Sequence, residues 1–379
     1  MSYERSIDPS VTDFTDRFYG ELIAKQAGGL ENTLISPLSL FVAMMITWYS
    51  TTGQTKKEIG QTLSLFEDTD GYRLLQTVGT KLNNFSANPK VNLSSYNRLF
   101  LFGNTDRNRR LSNELHQLLH AGVTKVDFRP STLPDDARIK INNFIERKTN
   151  GMIIDMLPPG SIGATTLMLL VNAMYFKGIW HETFDKSKTR NGIFYGLTGS
   201  QTSVPVMHRG GMYSLCFLED NTDQIIKLPF ADLKWELVIL LPKEKDGLPK
   251  SLNSLLEGSL FQNIMGCDFE NMVADLYLPR FQLGGEKNTD AMSILKNLGI
   301  KELFTTRADF SPLTTTTGLF VSKVDEDGAT AAAATTINLG LRSAFRPFQF
   351  RVDHPFLVMI VYNKSLPAFL GHFVEPESE

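Results

Sequence analysis

The chain has 379 residues, 42% of them hydrophobic, with 26 Phe and 17 Pro, a composition that describes an ordered globular protein and excludes a disordered one. Lys and Arg number 38 against 41 Asp and Glu, so the net charge of -3 excludes a global basic field for nucleic acid or an anionic membrane. The first ten residues hold no apolar core of a secretory signal. We therefore expect a protein that is cytoplasmic, or extracellular through export without a signal peptide.

The first predicted elements are two helices. Between Val11 and Ala27 the apolar residues recur at helical spacing. Pro37 suits the first turn of a second helix that runs to about Ser50, with Ser36 as its N-cap. The longest apolar run, Leu38–Tyr49, lies in this helix and is well short of the roughly 20 residues that cross a bilayer, so it predicts a buried helix.

Helix and strand patterns together predict an α+β fold. Helical periodicity dominates residues 11–65 and 137–156. Later segments predict strands: Ile225–Leu228, Trp235–Leu241, Val273–Phe281 and Phe356–Tyr362. The last of these is apolar on both faces and is therefore expected to be buried. Because no internal repeat or linker-like tract interrupts the chain, we expect a single domain over residues 1–379.

Cys216 and Cys267 are the two cysteines of the chain. They are 51 residues apart and make no metal-ligand spacing, so we predict free buried thiols rather than a disulfide, in a reducing compartment. Sequons at Asn84, Asn92 and Asn363 would matter only if the chain entered the secretory route.

Enzyme-like motifs are few. His116 and His120 have the spacing of a zinc-protease motif, but Gln117 replaces its general-base glutamate, and no third ligand is in view. This pattern favours an ordinary helix with two histidines. A basic cluster at residues 107–110 favours a solvated turn over a polyanion site. Since the chain also has no Gly-x-Ser-x-Gly elbow and no phosphate-binding glycine loop, we predict neither an enzyme nor a cofactor.

The stretch from Asp325 to Pro347 has the most biased composition in the chain. Its four consecutive alanines favour helix, whereas the β-branched residues at 335–337 favour strand. An alanine-rich surface helix and a segment that can join a sheet therefore both stay open.

Two features support the sheet. Proline is absent between Asp325 and Arg346, so nothing excludes the segment from a sheet interior. In a strand, one face would carry only small side chains, those of Ala329, Ala331, Ala333 and Thr335.

Short motifs spread over almost the whole chain resemble those of the serpins, the serine-protease-inhibitor family. The opening signature is at Asn32–Ser39 and Thr52–Thr55. Eight further motifs follow in family order: Asn97–Phe100, Ile141–Gly151, Leu157–Ser161, Val171–Trp180, Leu278–Phe281, Ala308–Ser311, Asp353–Phe356 and Phe369–Phe373. The form of Asp353–Phe356 is most similar to the ovalbumin-like, largely intracellular branch of the family.

The resemblance implies the serpin fold, with about eight or nine helices around three β-sheets and an exposed reactive loop at about residues 325–347. In serpins a protease cleaves this loop, which then inserts into the main sheet as an extra strand and deforms the covalently attached protease. The matching hinge and inserting positions are Glu326, Asp327, Gly328, Ala329, Ala331, Ala333 and Thr335. This implies a metastable native state that gains hydrogen bonds and buried area upon cleavage.

Family spacing places the scissile bond fourteen residues past Gly328, between Arg342 and Ser343. An arginine at this position would fill the acidic pocket of a trypsin-like serine protease. Arg346 competes poorly because Pro347 follows it. The implied function is suicide inhibition of such a protease through a covalent acyl-enzyme complex, by a protein that we expect to be a monomer.

Other family positions form a sheet-opening cluster. Ser36, Ser39 and Asn172 match the polar residues beneath the point where the main sheet parts, and Trp180 matches the aromatic residue where the loop enters. Capping serines and a core tryptophan are the structural alternative.

One departure from the family opens a second function. From Ser311 to Gly328 is 17 positions, roughly eight fewer than the family has, which is worth about 26 Å of strand. The gap falls between Val324 and Asp325, in the strand that leads to the hinge. Residues 318–324 could shift to replace it, with Phe320, Ser322 and Val324 on one face. The alternative is therefore a non-inhibitory serpin-fold protein that acts as a protease substrate, carrier or chaperone.

Overall fold

The computed structural model describes residues 8–65, 70–86, 89–102, 107–126, 134–148, 154–162, 166–218, 223–283, 291–314, 319–326, 330–332 and 347–376. Within these ranges the α-helices are α1 (Asp8–Lys25), α2 (Pro37–Tyr49), α3 (Gly53–Thr62), α4 (Gly71–Ser86), α5 (Arg109–Leu119), α6 (Pro134–Lys148), α7 (Leu248–Leu256), α8 (Leu260–Met265) and α9 (Ala291–Asn297). Short 3-10 helices span Lys186–Lys188 and Glu302–Phe304.

The second helix forms as the sequence predicts. Ser36 caps α2, its side-chain oxygen accepting a hydrogen bond from the Ser39 backbone N–H at 3.2 Å, and Pro37 occupies the first turn. Every residue from Pro37 to Trp48 is buried, so α2 is a core helix. Among the helices of the described ranges, none combines the length and apolarity that spanning a membrane requires.

The strands of the larger sheet are β1 (Thr33–Ile35), β5 (Arg190–Tyr195), β6 (Gln201–Phe217), β7 (Asp223–Pro229), β8 (Trp235–Pro242), β9 (Glu270–Pro279), β12 (Phe348–Arg351), β13 (Phe356–Tyr362) and β14 (Leu366–Phe373). Their order is β1-β14-β13-β8-β7-β6-β9-β12, with β5 on β6. The predicted buried strand is β13, which lies between β14 and β8 and is buried from Phe356 to Val361.

A smaller sheet consists of β2 (Val91–Phe102), β3 (Gly122–Val126), β4 (Thr166–Ile179), β10 (Leu319–Glu326) and β11 (Thr330–Ala332). Its order is β10-β4-β2-β3, and β11 also pairs with β4. The α+β class is therefore confirmed. Within the larger sheet, β6 joins two groups of strands, because it pairs with β7 through Ser214–Phe217 and with β9 through Val206–Leu215.

The apolar core lies on both faces of the smaller sheet. Helices α1 and α2 and the larger sheet cover one face, where Phe14, Phe41 and Phe176 are among the fully buried side chains. Helix α6 covers the other face, and Ile141 and Ile145 pack there on strand residues of β2 and β4. The smaller sheet is therefore covered on both faces by apolar packing.

The prediction of free thiols is wrong, because Cys216 and Cys267 form a disulfide. Cys216 lies in β6, and Cys267 precedes β9. These strands pair antiparallel with Leu215 opposite Glu270, which brings the two cysteines to a Cα–Cα distance of 6.3 Å. The 51 residues between the cysteines give no indication of this pairing, which depends on the register of β6 and β9. The cysteines therefore give no support to a reducing compartment.

Candidate reactive-loop site

The strand that approaches the loop is β10. β10 runs parallel to β4, with Phe320 opposite Met168 and Glu326 opposite Met174. A register irregularity falls between Leu319 and Phe320. Residues 319–326 thus form the strand beside β4, and the replacement of a longer family strand by a shift of residues 318–324 stays a prediction.

The same alignment moves the start of the loop. β11 continues along β4, with Thr330 opposite Lys177 and Ala332 opposite Ile179, again parallel. Asp325 and Glu326 also lie in the sheet, in β10. The predicted start of an exposed loop at about residue 325 is therefore too early, because Asp325, Glu326 and Thr330–Ala332 are paired with β4.

The other predicted loop residues, Asp327, Gly328, Ala329, Ala333, Thr335, Arg342 and Ser343, lie outside the described residues, and their roles stay predictions. The described chain resumes at Pro347 and enters β12, which pairs parallel with β9. The loop is thus anchored at one end on the smaller sheet and at the other on the larger sheet. Fourteen residues, 333–346, connect the two anchors.

A buried polar cluster lies where β10 meets β4. The Asn172 backbone is paired with Val324 on one side and with Asn97 of β2 on the other. The Asn172 side chain donates to Asn97 Oδ1 at 2.5 Å, and its own Oδ1 accepts from the Ser39 hydroxyl of α2. Asn97 in turn donates to Ser95 Oγ at 2.9 Å. Because these groups satisfy one another away from water, the cluster fixes α2 against the centre of the sheet.

Ser36 lies beside this cluster. Its hydroxyl donates to the backbone oxygen of Ala368 in β14 at 2.7 Å and is 3.3 Å from Met174 Sδ in β4. The same oxygen caps α2. Ser36 is therefore a capping residue and also lies next to Ser39 and Asn172, as predicted for the cluster. The predicted cluster did not include Asn97. Asn97 lies directly opposite Asn172 in the antiparallel β2–β4 pairing, which the sequence alone does not specify.

The cluster consists of side-chain amides and hydroxyls, those of Asn97, Asn172, Ser39 and Ser95, which carry no charge. Tyr96 precedes Asn97 in β2 and faces the other side of the sheet, where its ring contacts Phe144 and burial raises its pKa to about 12. The polar contacts beneath the β4–β10 junction are neutral hydrogen bonds, which can be remade without moving a charge.

Trp180 lies away from that cluster, just past the end of β4. The eight residues from Asn172 correspond to about 26 Å of strand. Its ring stacks on Phe230 with centroids 4.7 Å apart and meets Phe184 edge-on at 6.1 Å. The preceding residue, Ile179, is paired with Ala332. Trp180 thus lies at the end of the sheet where the chain leaves β11 for the loop.

The histidine pair takes part in contacts of an ordinary helix end. His120 is the C-cap of α5, and its Nε2 is 2.9 Å from Asn83 Oδ1, while the His116 and His120 rings meet edge-on. Within the described residues, no three His, Cys, Asp or Glu side chains are placed to hold a metal ion. In the basic cluster, Arg110 pairs with Glu114 and Arg107 donates to the Val123 backbone oxygen.

Comparison with known proteins decides the family. The family model described as Serpin (serine protease inhibitor) matches residues 9–376. The chain belongs to the serpin family. The mixed α+β fold matches solved serpin structures, and the resemblance found in the sequence motifs is confirmed.

Individual serpins resemble the chain over nearly its full length. A serine protease inhibitor from Cyanea capillata is 31% identical over 377 residues, which is 95% of this chain and 96% of the relative. Serpin B13 from Homo sapiens is 28% identical over 372 residues, 91% of this chain and 94% of the relative. The crystal structure of uncleaved ovalbumin has a TM-score of 0.86 at 25% identity and covers 98% of this serpin and 100% of ovalbumin. These matches agree with the predicted ovalbumin-like branch.

Proposed function

We propose that this serpin inhibits trypsin-like serine proteases as a suicide substrate cleaved between Arg342 and Ser343. The protease serine attacks the Arg342 carbonyl carbon, an ester to that carbon forms, and the bond to the Ser343 nitrogen breaks as the nitrogen takes up a proton. The protease is then joined covalently to the loop. Family membership and the arginine at the family spacing support this step.

The observation that supports trapping of the protease by loop insertion is the parallel pairing of β4 and β10. A chain that returns from the end of β11 would enter between these strands antiparallel to both. Insertion would therefore replace one parallel pairing with two antiparallel ones, and antiparallel pairing is slightly more stable per residue. The neutral hydrogen bonds of Asn172 lie at the junction that must open.

A second function is favoured by β11. Because Thr330–Ala332 already lie in the sheet, the chain that can insert without unpairing β11 begins at residue 333. From there to Arg342 are ten residues, about 33 Å of strand, whereas β4 has 14 residues, or about 46 Å. An attached protease would stop short of the far end of the sheet. Incomplete insertion favours hydrolysis of the ester and hence a non-inhibitory serpin.

The deciding experiment mixes the purified chain with trypsin and looks for a complex that survives boiling in detergent. Arg342→Ala is the control. A stable complex that the control abolishes establishes a covalent inhibitor and shows that the short approach is tolerated. Clean cleavage after Arg342 with trypsin left fully active overturns inhibition and selects the substrate function.

The compartment in which the protein acts is also a proposal. We expect either the cytoplasm or the exterior after export without a signal peptide. The disulfide between Cys216 and Cys267 favours the exterior, since disulfides persist in oxidising environments. A thiol assay on protein taken directly from each compartment, with and without reductant, distinguishes the two.

A further inference from the structure

The disulfide between Cys216 and Cys267 lies where the pairing of β6 with β9 stops. The last paired residues at this end are Leu215 and Glu270. Cys216 is the next residue of β6, and Cys267 lies three residues before Glu270. The disulfide therefore joins the two chains just beyond their last backbone pair.

The end of β6 also contacts the strand that anchors the loop. Phe217, the residue after Cys216, packs edge-on against Phe348 with the ring centroids 5.4 Å apart. Phe348 is the first residue of β12, a four-residue strand at the edge of the larger sheet. Since aromatic pairs with this geometry are stabilising, the position of Phe217 affects how firmly β12 is held.

A reductant reaches the two sulfur atoms of the disulfide unequally. Cys216 is 3% exposed and belongs to the apolar core. Cys267 is half-buried and lies between the exposed residues Gly266 and Asp268. Because thiol–disulfide exchange requires access to the attacked sulfur, an external thiol attacks Cys267, and Cys216 is the leaving group.

A small dithiol can complete the reduction. Its thiolate bonds to Cys267 Sγ, the bond between the two cysteines breaks, and the Cys216 thiolate takes up a proton. The second thiol of the reductant, as a thiolate, then attacks the reductant's first sulfur and releases Cys267, which also takes up a proton. Two electrons pass to the protein, and the dithiol is oxidised to a cyclic disulfide.

A neighbouring contact keeps the effect of reduction local. Phe269 lies two residues after Cys267, and the Lys227 ammonium of β7 is 3.4 Å from the centre of its ring. The segment before β9 therefore keeps a cation–π contact with β7 when the disulfide is open. Reduction should thus loosen the end of β6 without unfolding the larger sheet.

We propose that the Cys216–Cys267 disulfide is a redox switch that sets how firmly β12 is held on the larger sheet. When the disulfide is closed, Phe217 is fixed against Phe348. When a dithiol opens it, Phe217 loosens and β12 separates from β9 more often. The switch requires neither a protease nor cleavage at Arg342, so its failure and the failure of the proposed function are separate outcomes. It makes the anchoring of the loop depend on the redox state of the compartment.

The test measures amide hydrogen exchange in the full chain by mass spectrometry, with and without dithiothreitol as the dithiol. We expect exchange in β12 to be about tenfold faster after reduction, because local opening becomes more frequent. β13 is the internal reference, since it lies between two paired strands and its exchange should not change. Unchanged exchange in β12, or equal acceleration in β12 and β13, overturns the switch. A thiol assay that finds the disulfide still closed in the folded protein also overturns it.

Cys216→Ala combined with Cys267→Ala is the matched variant without the disulfide. Its β12 should exchange as fast as that of the reduced wild type, and dithiothreitol should have no effect on it. Slow exchange in β12 of this variant overturns the switch. So does a response of the variant to dithiothreitol, because the reductant would then act elsewhere.

Phe217→Leu tests the path from the disulfide to β12, because it removes the ring contact with Phe348 but keeps an apolar side chain. In the oxidised variant, β12 should already exchange about as fast as in the reduced wild type, so that reduction adds less than about twofold. Phe144→Leu is the control. It breaks a ring pair with Tyr96 beside α6 and should keep the full response to reduction. A full response in Phe217→Leu, or a lost response in Phe144→Leu, overturns the path through Phe217.

Discussion

His372 is a buried histidine of β14 that joins this strand to the first helix. Its Nδ1 is 2.7 Å from the Tyr19 hydroxyl of α1, and its Nε2 is 3.2 Å from the Gln26 side-chain oxygen. The neutral ring with its proton on Nε2 satisfies both contacts. Burial lowers the pKa of His372 from 6.5 to about 4, because the charged imidazolium would be cut off from water.

This shift predicts a pH dependence of stability. Between pH 6.5 and pH 4 the unfolded chain binds a proton at His372 that the folded chain does not, so the free energy of unfolding falls as pH is lowered through this window. The loss is at most on the order of 3 kcal/mol. Urea unfolding at pH 7 and pH 5 should show a smaller difference for His372→Gln than for the wild type. His181→Gln, at an exposed histidine, is the control and should show the same difference as the wild type. An equally large difference in His372→Gln and the wild type contradicts the assignment.

Residue-scale features were predictable where the partner is near in sequence. Ser36 could be identified as a cap because Pro37 and the apolar run of α2 follow it directly. Asn97 and the Cys216–Cys267 bond could not, because their partners are 75 and 51 positions away. Only strand pairing brings such residues together, and a single sequence does not specify it.

At the scale of elements, β10 and β11 form one approach to the loop, interrupted after Glu326. From Glu326, the end of β10, to Thr330, the start of β11, the chain advances four residues. The partners of these two residues in β4, Met174 and Lys177, are only three residues apart. One residue is therefore extra on the loop side. Buried elements such as α2 and β13 were predicted from their apolar pattern, but the extent of this approach depends on a register that only the neighbouring strand defines.

Ala331→Pro tests the role of this segment. Ala331 is opposite Gly178 in the pairing of β11 with β4, and proline is excluded from the interior of a sheet. If trapping requires β11 to unpair and insert with the rest of the loop, this change should slow insertion and raise the number of serpin molecules cleaved per protease trapped by about tenfold or more. Titration of trypsin with each variant and densitometry of the products measure this ratio.

Thr330→Val is the control for that experiment, because it keeps the shape of a neighbouring side chain in the same strand. Its ratio should stay at the wild-type value. The larger substitution Ala329→Arg, at a predicted inward position, should act in the same direction as Ala331→Pro. Unchanged trapping by both variants contradicts strand insertion.

At the scale of the whole molecule, α2 joins the two sheets. Ser36 bonds to β14 of the larger sheet, and Ser39 bonds to β4 of the smaller one. The α+β class and the serpin fold followed from the sequence, since many motifs in order constrain a whole chain more than any one of them does. That residues 1–379 form a single domain stays a prediction.

Cleavage of the whole protein distinguishes the two proposed functions. If the loop inserts after the Arg342 bond is cut, the cleaved protein should melt roughly 10 °C or more above the intact protein, because a new central strand adds pairing and buried area. Scanning calorimetry before and after limited trypsin treatment measures the difference. An unchanged melting temperature selects the non-inhibitory serpin.

β12 is an edge strand of four residues whose pairing in the sheet is with β9. Before cleavage, the loop is fixed at β12 as well as at β11, so the intact chain cannot enter the smaller sheet deeply unless β12 first comes away. The contacts of Gln349 and Arg351 with Asp275 and Tyr277 oppose that release. If the loop can insert, these contacts therefore set the lifetime of the uncleaved protein in its inhibitory form. That lifetime depends on β12, at the end of the loop opposite to β11.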